Sequence, residues 1–210
     1  LYSGEVTTLN YLKTNSSNEI GIASNLVDSL VEYDKFGLIK PALAIDWEVS
    51  EDNMVWTFIL RQGVNWYTVD GYAFAEVLAQ DFVDSAKYIL DLNNDSSTAN
   101  IVYGVIKNAE KYYRGDITDF SQVGVKAIDN YKLEYTLEKP VPYFLSMITH
   151  ACFLPINGEF LKEVGDKFGT DNYNFLYNGA YILDTFEPQS RRVLIANDNY
   201  WDKEHVYIKK

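Results

Sequence analysis

Two segments of alternating apolar residues, separated by an acidic turn, constrain the fold more than any other feature of this chain. The apolar positions that share a face within each segment are Trp47 and Val49 in the first, and Trp56, Phe58 and Leu60 in the second. A period of two is typical of a strand with one buried face, and the sequence Ser-Glu-Asp-Asn at 50–53 is typical of a turn. The pattern predicts an antiparallel hairpin with strands over 45–50 and 55–61.

Elsewhere the apolar periodicity changes between that of helices and that of strands. Residues 20–33 and 79–92 repeat their apolar positions with the period of an amphipathic helix. Shorter helices are predicted over 140–149 and 159–168, and further strands over 123–128, 132–137 and 192–197. Helices and strands do not alternate strictly, which favours an α+β domain inserted in or beside an α/β lobe.

Charge and composition narrow the classes of function. The 210 residues are 47% hydrophobic, which is enough for a substantial core, and they carry 30 acidic against 18 basic side chains, a net charge of −12. Nucleic-acid binding depends on clustered Lys and Arg, so we expect no nucleic-acid partner. The longest apolar runs fall short of the roughly 20 residues that cross a bilayer. Cys152 has no second cysteine with which to form an internal disulfide, and its apolar neighbours predict a buried thiol.

One polar segment has part of the pattern of a calcium-binding loop. Asp91, Asn93 and Asp95 occupy its first, third and fifth positions, but Ser96 and Val102 stand where Gly and a bidentate Glu are needed. We therefore expect a turn after a helix, stabilised by Asn and Asp side chains. His150 and His205 lie far apart without cysteines nearby, so no metal site and no cofactor are expected.

Motifs for catalysis are also absent from the sequence. It contains no Gly-x-Ser-x-Gly, Gly-x-x-x-x-Gly-Lys or Gly-x-Gly-x-x-Gly segment. We assign no catalytic residue and expect no enzyme. A carbohydrate-active hydrolase stays open as an alternative, because many carboxylates are present and nothing singles out one pair.

Five groups of motifs follow one another along the chain. They are Ile22–Asp34 with Gly37; Pro41-Ala-Leu-Ala through Trp-Thr-Phe-x-Leu-Arg-x-Gly-Val-x-Trp66; Asp70-Gly71 with Ala79-Gln-Asp-Phe-Val83; Gly124–Asp129 with Leu133–Leu137 and Pro140–Phe144; and Asn178-Gly-Ala-Tyr181 with Asn199-Tyr-Trp-Asp202. In this order they resemble solute-binding family 5, the extracellular solute-binding proteins of oligopeptide and dipeptide ABC transporters. The segment 67–77 is longer than in family members that run directly from the Asp-Gly turn into the helix.

The resemblance implies a lobe of the type II periplasmic-binding-protein kind with an inserted α+β subdomain. We expect residues 1–29 and 156–210 to belong to lobe I and residues 30–155 to form the insert. Because family members are much longer, we also expect that the chain is truncated before the second lobe.

The function implied by the resemblance is binding without chemistry. Such a protein captures oligopeptides between two lobes and delivers them to the permease subunits of an ABC importer. It is expected to be a monomer outside the cytoplasm that meets the membrane only through a lipid anchor or the permease. Relatives also take up nickel complexes, sugars or signalling peptides, so a peptide-sensing surface module remains a second alternative.

Two segments match the parts of family members that face the ligand. The first is the loop Asn15, Ser16, Ser17 and Asn18, where Asn and Ser replace an acidic residue and small apolar residues of the family. The second is 97–103, in which Ser97 and Thr98 align near an aromatic residue used by some members and Tyr103 is a substitute candidate. Trp47, Trp56, Trp66 and Tyr181 are assigned to the fold, since large rings in strands and beside turns are normally buried.

Overall fold

The computed structural model of the chain describes residues 5–210. Its α-helices are α1 (Ser17–Leu26), α2 (Ala79–Ile89), α3 (Ala99–Tyr103), α4 (Ala109–Tyr113), α5 (Phe144–Met147) and α6 (Gly158–Val164). Its strands are β1 (Val31–Tyr33), β2 (Ile39–Pro41), β3 (Ala44–Val49), β4 (Val55–Leu60), β5 (Asn65–Tyr67), β6 (Ala73–Glu76), β7 (Val125–Asp129), β8 (Lys132–Thr136), β9 (Tyr181–Glu187) and β10 (Arg191–Ala196). Within the described residues these strands pair antiparallel.

The predicted tryptophan hairpin is confirmed and forms half of the largest sheet. Strands β3, β4, β8 and β7 are hydrogen-bonded in that order. Trp47 pairs with Phe58, and Phe58 in turn pairs with Leu133 of β8. Phe58 and Leu133 are fully buried, whereas Thr57 and Ile59 between the buried positions of β4 are partly exposed. One face of the sheet therefore covers the core, as the period of two requires.

Helix α2 packs against this sheet through Phe82, Ala86 and Ile89, which are all buried. Its first turn is fixed by the buried carboxylate of Asp81. Asp81 Oδ2 accepts hydrogen bonds from the backbone N–H of Leu78 at 3.0 Å and from Trp66 Nε1 at 2.8 Å. These bonds join the helix start to β5 and satisfy a backbone donor that a helix N-terminus leaves free.

The prediction of one helix over 20–33 is wrong in its second half. Helix α1 ends at Leu26, and Val31–Tyr33 is strand β1, paired with β2. The backbone N–H groups of Asn178 and Gly179 donate to Leu26 O at 3.2 and 2.9 Å. A Cβ on Gly179 would lie 2.8 Å from Leu26 C, so only glycine permits this approach. A segment about 150 positions away therefore occupies the carbonyl that another helical turn would use.

The other predicted elements are present with shorter or shifted bounds. The predicted strands at 123–128, 132–137 and 192–197 correspond to β7, β8 and β10. In the predicted helix 140–149 only Phe144–Met147 is α-helical, and the one predicted over 159–168 is α6 followed by a 3₁₀ turn at Gly165–Lys167. The unusual segment 67–77 contains the turn and second strand of the β5–β6 hairpin, in which Trp66 pairs with Ala75.

The two ends of the described chain lie side by side. Arg192 Nη2 on β10 lies 3.1 Å from Glu5 Oε1, and the backbone N–H of Gln189 donates to the same oxygen at 2.9 Å. Leu9 N–H also donates to Gly169 O at 2.8 Å. The division into 1–29 with 156–210 and an insert at 30–155 stays a prediction, and residues 1–4 of its first range lie outside the described residues.

The aromatic residues assigned to the fold pack as rings do in a core. Trp66 is 1% exposed and Trp56 is 7% exposed, while Trp47 and Tyr181 are partly buried against the same core. The ring of Trp56 lies 6.5 Å from that of Phe58 and 5.5 Å from that of Phe144. Within the part of the chain described, no helix has the length and apolar character needed to cross a membrane.

Replacing Trp56 by Ala should lower the free energy of unfolding by about 3–5 kcal/mol, because it leaves a cavity at the centre of this cluster. Trp56→Phe is the matched control. Trp56 Nε1 has no hydrogen-bond partner, so Phe removes volume but no hydrogen bond and should cost less than half as much. Denaturant titration measures both. A loss below about 1 kcal/mol for the Ala variant would show that the ring is not packed in solution.

Candidate functional site

The first predicted ligand segment is a loop only at Asn15 and Ser16, because Ser17 and Asn18 already belong to the first turn of helix α1. Asn15 and Ser17 are exposed, whereas Ser16 and Asn18 are partly buried. The backbone N–H of Ser16 donates to Thr14 Oγ1 at 2.9 Å, and Ser16 O accepts from Ile20 N–H at 2.9 Å as the helix begins. The loop thus presents short polar side chains and a backbone whose conformation is set by its own neighbours.

The structure brings the second predicted segment directly against the base of this loop. Ser97 donates to Lys13 O through both its backbone N–H, at 3.0 Å, and its hydroxyl. The hydroxyl of Ser96 donates to Leu12 O at 2.5 Å. Two segments 84 positions apart are therefore hydrogen-bonded to each other just before the loop, and Asn15, Ser17 and Ser97 in them are exposed.

Thr98 does not belong to that surface. It is 1% exposed, and its hydroxyl lies 3.2 Å from Ser96 Oγ, so its side chain supports the turn before α3 from inside. Tyr103 at the end of α3 is partly buried and packs on Tyr113, with ring centroids 5.0 Å apart. This contact gives Tyr103 a packing role in the structure. Ligand contact by Asn15, Ser16, Ser17, Asn18, Ser97 and Tyr103 stays a prediction.

Sequence reasoning missed Glu19, whose buried carboxylate accepts hydrogen bonds from threonines that precede the loop. Glu19 is 6% exposed. Its Oε1 accepts from Thr7 N–H at 2.9 Å, Thr7 Oγ1 at 2.8 Å and Thr8 N–H at 3.3 Å, and its Oε2 accepts from the Thr14 hydroxyl. Burial raises the pKa of this carboxyl, but the hydrogen bonds from Thr14, Thr7 and Thr8 outweigh burial and hold the pKa below its ordinary value. The spacing Ser16-x-x-Glu19 is that of a capping box and was the available signal.

The calcium-like segment is a turn, as the sequence predicted. Asp91 Oδ1 accepts from the N–H and from Nδ2 of Asn93, both at 2.9 Å, so this carboxylate serves its own turn. Asp95 adopts a left-handed conformation with φ of 49°. Across residues 5–210, no group of three or more His, Cys, Asp or Glu side chains is arranged to hold a metal ion.

Cys152 and His150 form a close pair that the sequence did not single out. His150 Nδ1 lies 3.2 Å from Cys152 Sγ and 3.3 Å from the Cys152 backbone nitrogen. Burial raises the pKa of the thiol to about 12, and burial lowers the pKa of the imidazole. A thiol nucleophile must be deprotonated and accessible. Cys152 is 2% exposed, so this pair belongs to the core.

A second cluster, centred on Asp28, was also missed. Trp201 Nε1 donates to Asp28 Oδ2 at 2.8 Å, and the guanidinium carbon of Arg61 lies 3.8 Å from the centre of the Trp201 ring. The cluster links the segment after α1, the end of β4 and the C-terminal segment. Burial raises the pKa of Asp28 to about 7; hydrogen bonds from Trp201 and Tyr200 oppose the shift. Nearby Glu32 and Asp202 add to it by charge repulsion.

Comparison with known proteins shows the family. Residues 39–210 match the model of the bacterial extracellular solute-binding proteins, family 5 (middle region). This chain belongs to that family. The oligopeptide-binding protein AliA of Streptococcus pneumoniae is 41% identical to this chain over 212 residues. The alignment covers 100% of this chain and 32% of AliA. The chain thus spans about a third of the length of the curated relatives it matches.

Solved structures give the same fold. The periplasmic oligopeptide-binding protein OppAIV of Borrelia burgdorferi superposes with a TM-score of 0.89 at 33% identity, covering 98% of this chain and 40% of OppAIV. Listeria monocytogenes OppA bound to peptide superposes with the same TM-score at 29% identity, covering 97% of this chain and 39% of OppA. The family 5 chain therefore has the mixed α/β fold of part of a periplasmic-binding protein, as its sequence predicted.

The Asp28 cluster makes stability depend on pH in a definite direction. Because the pKa of Asp28 is raised in the folded state, folding favours the protonated carboxyl. Its contribution is present below about pH 4 and is lost as pH rises to about pH 7. Asp28→Asn should therefore flatten the dependence of Tm on pH over this window, while its amide oxygen still accepts from Trp201.

The exposed residue Glu51 supplies the control, since Glu51→Gln also removes one negative charge but from open solvent. Thermal melts of the three proteins between these pH values make the comparison. Equal pH dependence of Tm in the wild type and Asp28→Asn would show that Asp28 is ionised in the folded state.

Proposed function

We propose that the protein containing this chain is the substrate-binding component of an ABC importer that captures oligopeptides. The observation that carries the proposal is the contact of Ser97 with Lys13 next to residues 15–18, in a chain that aligns throughout with oligopeptide-binding proteins. The surface lies on a rigid base, because Ser96 and Ser97 bind the carbonyls of Leu12 and Lys13. This chain supplies one wall of a cleft.

The composition of this wall suits a peptide recognised through its main chain. Asn15, Ser16, Ser17 and Asn18 carry no charge, and their short polar side chains leave room for the main chain of an extended ligand to approach this wall. Strand-like hydrogen bonding to a peptide backbone is independent of its side chains, and water fills the space around them. We expect weak sequence selectivity at this wall and no strong preference for ligand charge.

Capture would be followed by delivery to membrane permease subunits, outside the cytoplasm, without turnover of the peptide. The described residues support this proposal, because the Cys152 thiol is buried and its pKa is raised, so it is not an accessible thiolate. The relatives are named for peptide binding, which gives no support to the carbohydrate-active hydrolase. A peptide-sensing module would use the same wall and would differ only in whether a permease receives the ligand.

The test compares residues 1–210 with the full-length protein. Affinity in a two-walled cleft comes from desolvating the ligand on both sides, so one wall leaves most of a bound peptide in water. Calorimetry and thermal shift against one pool of short peptides should show binding by the full-length protein and a rise in its Tm, by mass action on the folded state. The fragment should bind weakly or not at all. A peptide with a blocked amino terminus tests for a charged anchor.

Two results would count against the proposal. Micromolar or tighter binding by residues 1–210 alone would contradict the requirement for two walls. Absence of peptide-dependent stabilisation in the full-length protein, or release of shortened products from the pool, would contradict capture without chemistry. Uptake of a labelled bound peptide by cells that express the permease separates import from sensing.

A further inference from the structure

Three connected groups lie directly beneath the exposed loop 15–18. The backbone N–H of Ser16 donates to Thr14 Oγ1 at 2.9 Å, and the hydroxyl of Thr14 donates to Glu19 Oε2. In a capping box the Glu at the third helical position would reach the N-cap N–H directly. Here Glu19, the third residue of α1, reaches the N-cap Ser16 through a threonine hydroxyl. The buried carboxylate is thus coupled to the backbone at the centre of the loop.

The direction of each hydrogen bond is fixed by chemistry. A hydroxyl has one proton to donate, and an ionised carboxylate can only accept. Since Thr14 gives its proton to Glu19, a lone pair on Thr14 Oγ1 is free to accept from Ser16 N–H. Glu19 is held ionised by its other donors, Thr7 and Thr8. Hydrogen bonds to an ionised acceptor are stronger than neutral ones, so the chain of bonds ends at a strong acceptor.

We propose that Glu19, acting through Thr14, is a positioning residue that fixes the backbone of Ser16 for ligand binding. This inference rests on the proposed function, since it concerns the same wall of the cleft. A loop that binds a peptide through its main chain must present its N–H and C=O groups in one conformation, or binding must first order it. Glu19 touches no ligand in this scheme, because it lies in the interior and its oxygens are occupied by Thr7, Thr8 and Thr14.

The chain immediately before Thr14 is anchored independently of Glu19, so the Glu19–Thr14 pair acts on the segment that follows. Ser96 and Ser97 bind the carbonyls of Leu12 and Lys13, so the chain enters the loop at a fixed point. Thr14 follows immediately and is 9% exposed. Without the bond from Ser16 to Thr14, Ser16 would keep the bond from Ile20 N–H to its carbonyl. The chain between Lys13 and α1 would then be less restrained.

The experiment uses the full-length protein and a matched pair of substitutions at one position. Thr14→Val keeps the shape of the side chain but cannot accept from Ser16 or donate to Glu19; Thr14→Ser keeps the hydroxyl. Glu19→Gln keeps the length but places an NH₂ group where Thr14 must donate, which competes with Ser16 N–H. Thr14→Val and Glu19→Gln should weaken peptide binding about tenfold, the factor expected if about one loop in ten remains competent.

Two further measurements distinguish a positioning role in ligand binding from a role in stability alone. Amide exchange at Ser16 N–H, followed by NMR without ligand, should accelerate in Thr14→Val and Glu19→Gln and stay slow in Thr14→Ser. Peptide affinity is measured by calorimetry well below the melting transition, with Trp56→Phe as the control that lowers Tm in the core. That control should leave both the affinity and the exchange of Ser16 unchanged.

Peptide affinity and Ser16 exchange together test the positioning role of Glu19 and Thr14. Loss of affinity and of Ser16 protection in Thr14→Val, with both retained in Thr14→Ser, supports the positioning role. Unchanged affinity in Thr14→Val and Glu19→Gln overturns it, even if their Tm falls. If the wild-type protein binds no peptide, the proposed function fails, and Ser16 exchange alone then decides whether Glu19 sets the loop: equal exchange in Thr14→Val and Thr14→Ser overturns that as well.

Discussion

The contact between the end of helix α1 and the glycine of the segment 178–179 determines how the rest of the molecule is arranged. The backbone N–H groups of Asn178 and Gly179 donate hydrogen bonds to the carbonyl of Leu26. The side chain of Asn178 accepts a hydrogen bond from Asp28 N–H at 2.8 Å. The chain must therefore leave the helix at Val27 in an extended conformation. Because any Cβ at position 179 would collide with this backbone, a glycine is required for the contact that ends α1.

Two hydrogen-bonded clusters lie at opposite ends of α1. At its N-terminus the helix begins in the exposed loop and contributes Glu19 to the hydrogen bonds beneath it. Beyond its C-terminus the chain places Asp28 against Trp201, whose ring is covered by Arg61. The exposed loop and the junction between the N- and C-terminal segments thus lie at the two ends of one helix of ten residues. Displacing the helix along its axis would disturb both.

The parts of the fold that depend on local periodicity were predictable, and those that depend on distant partners were not. The alternation from Trp47 to Leu60 predicted β3 and β4, and the apolar stripe of Phe82, Ala86 and Ile89 predicted α2. The end of α1 could not be predicted, because the groups that stop it lie at 178–179. The same holds within the site: the exposed loop was found by family resemblance, whereas the burial of Thr98 and the reach of Glu19 to Thr7 depend on packing that one sequence does not display.

The buried thiol of Cys152 allows local opening of the core to be measured by chemical labelling. The side chain lies in the segment after α5, beside Phe153, whose ring contacts Tyr135 and Phe144 at 6.3 and 6.2 Å. A thiol reagent can reach the sulfur only when this aromatic cluster separates, so its labelling rate measures the free energy of that local opening. Because the chain contains one cysteine, the signal comes from a single place without any substitution. Any ligand that stabilises this aromatic cluster in the folded state would be visible as slower labelling of Cys152.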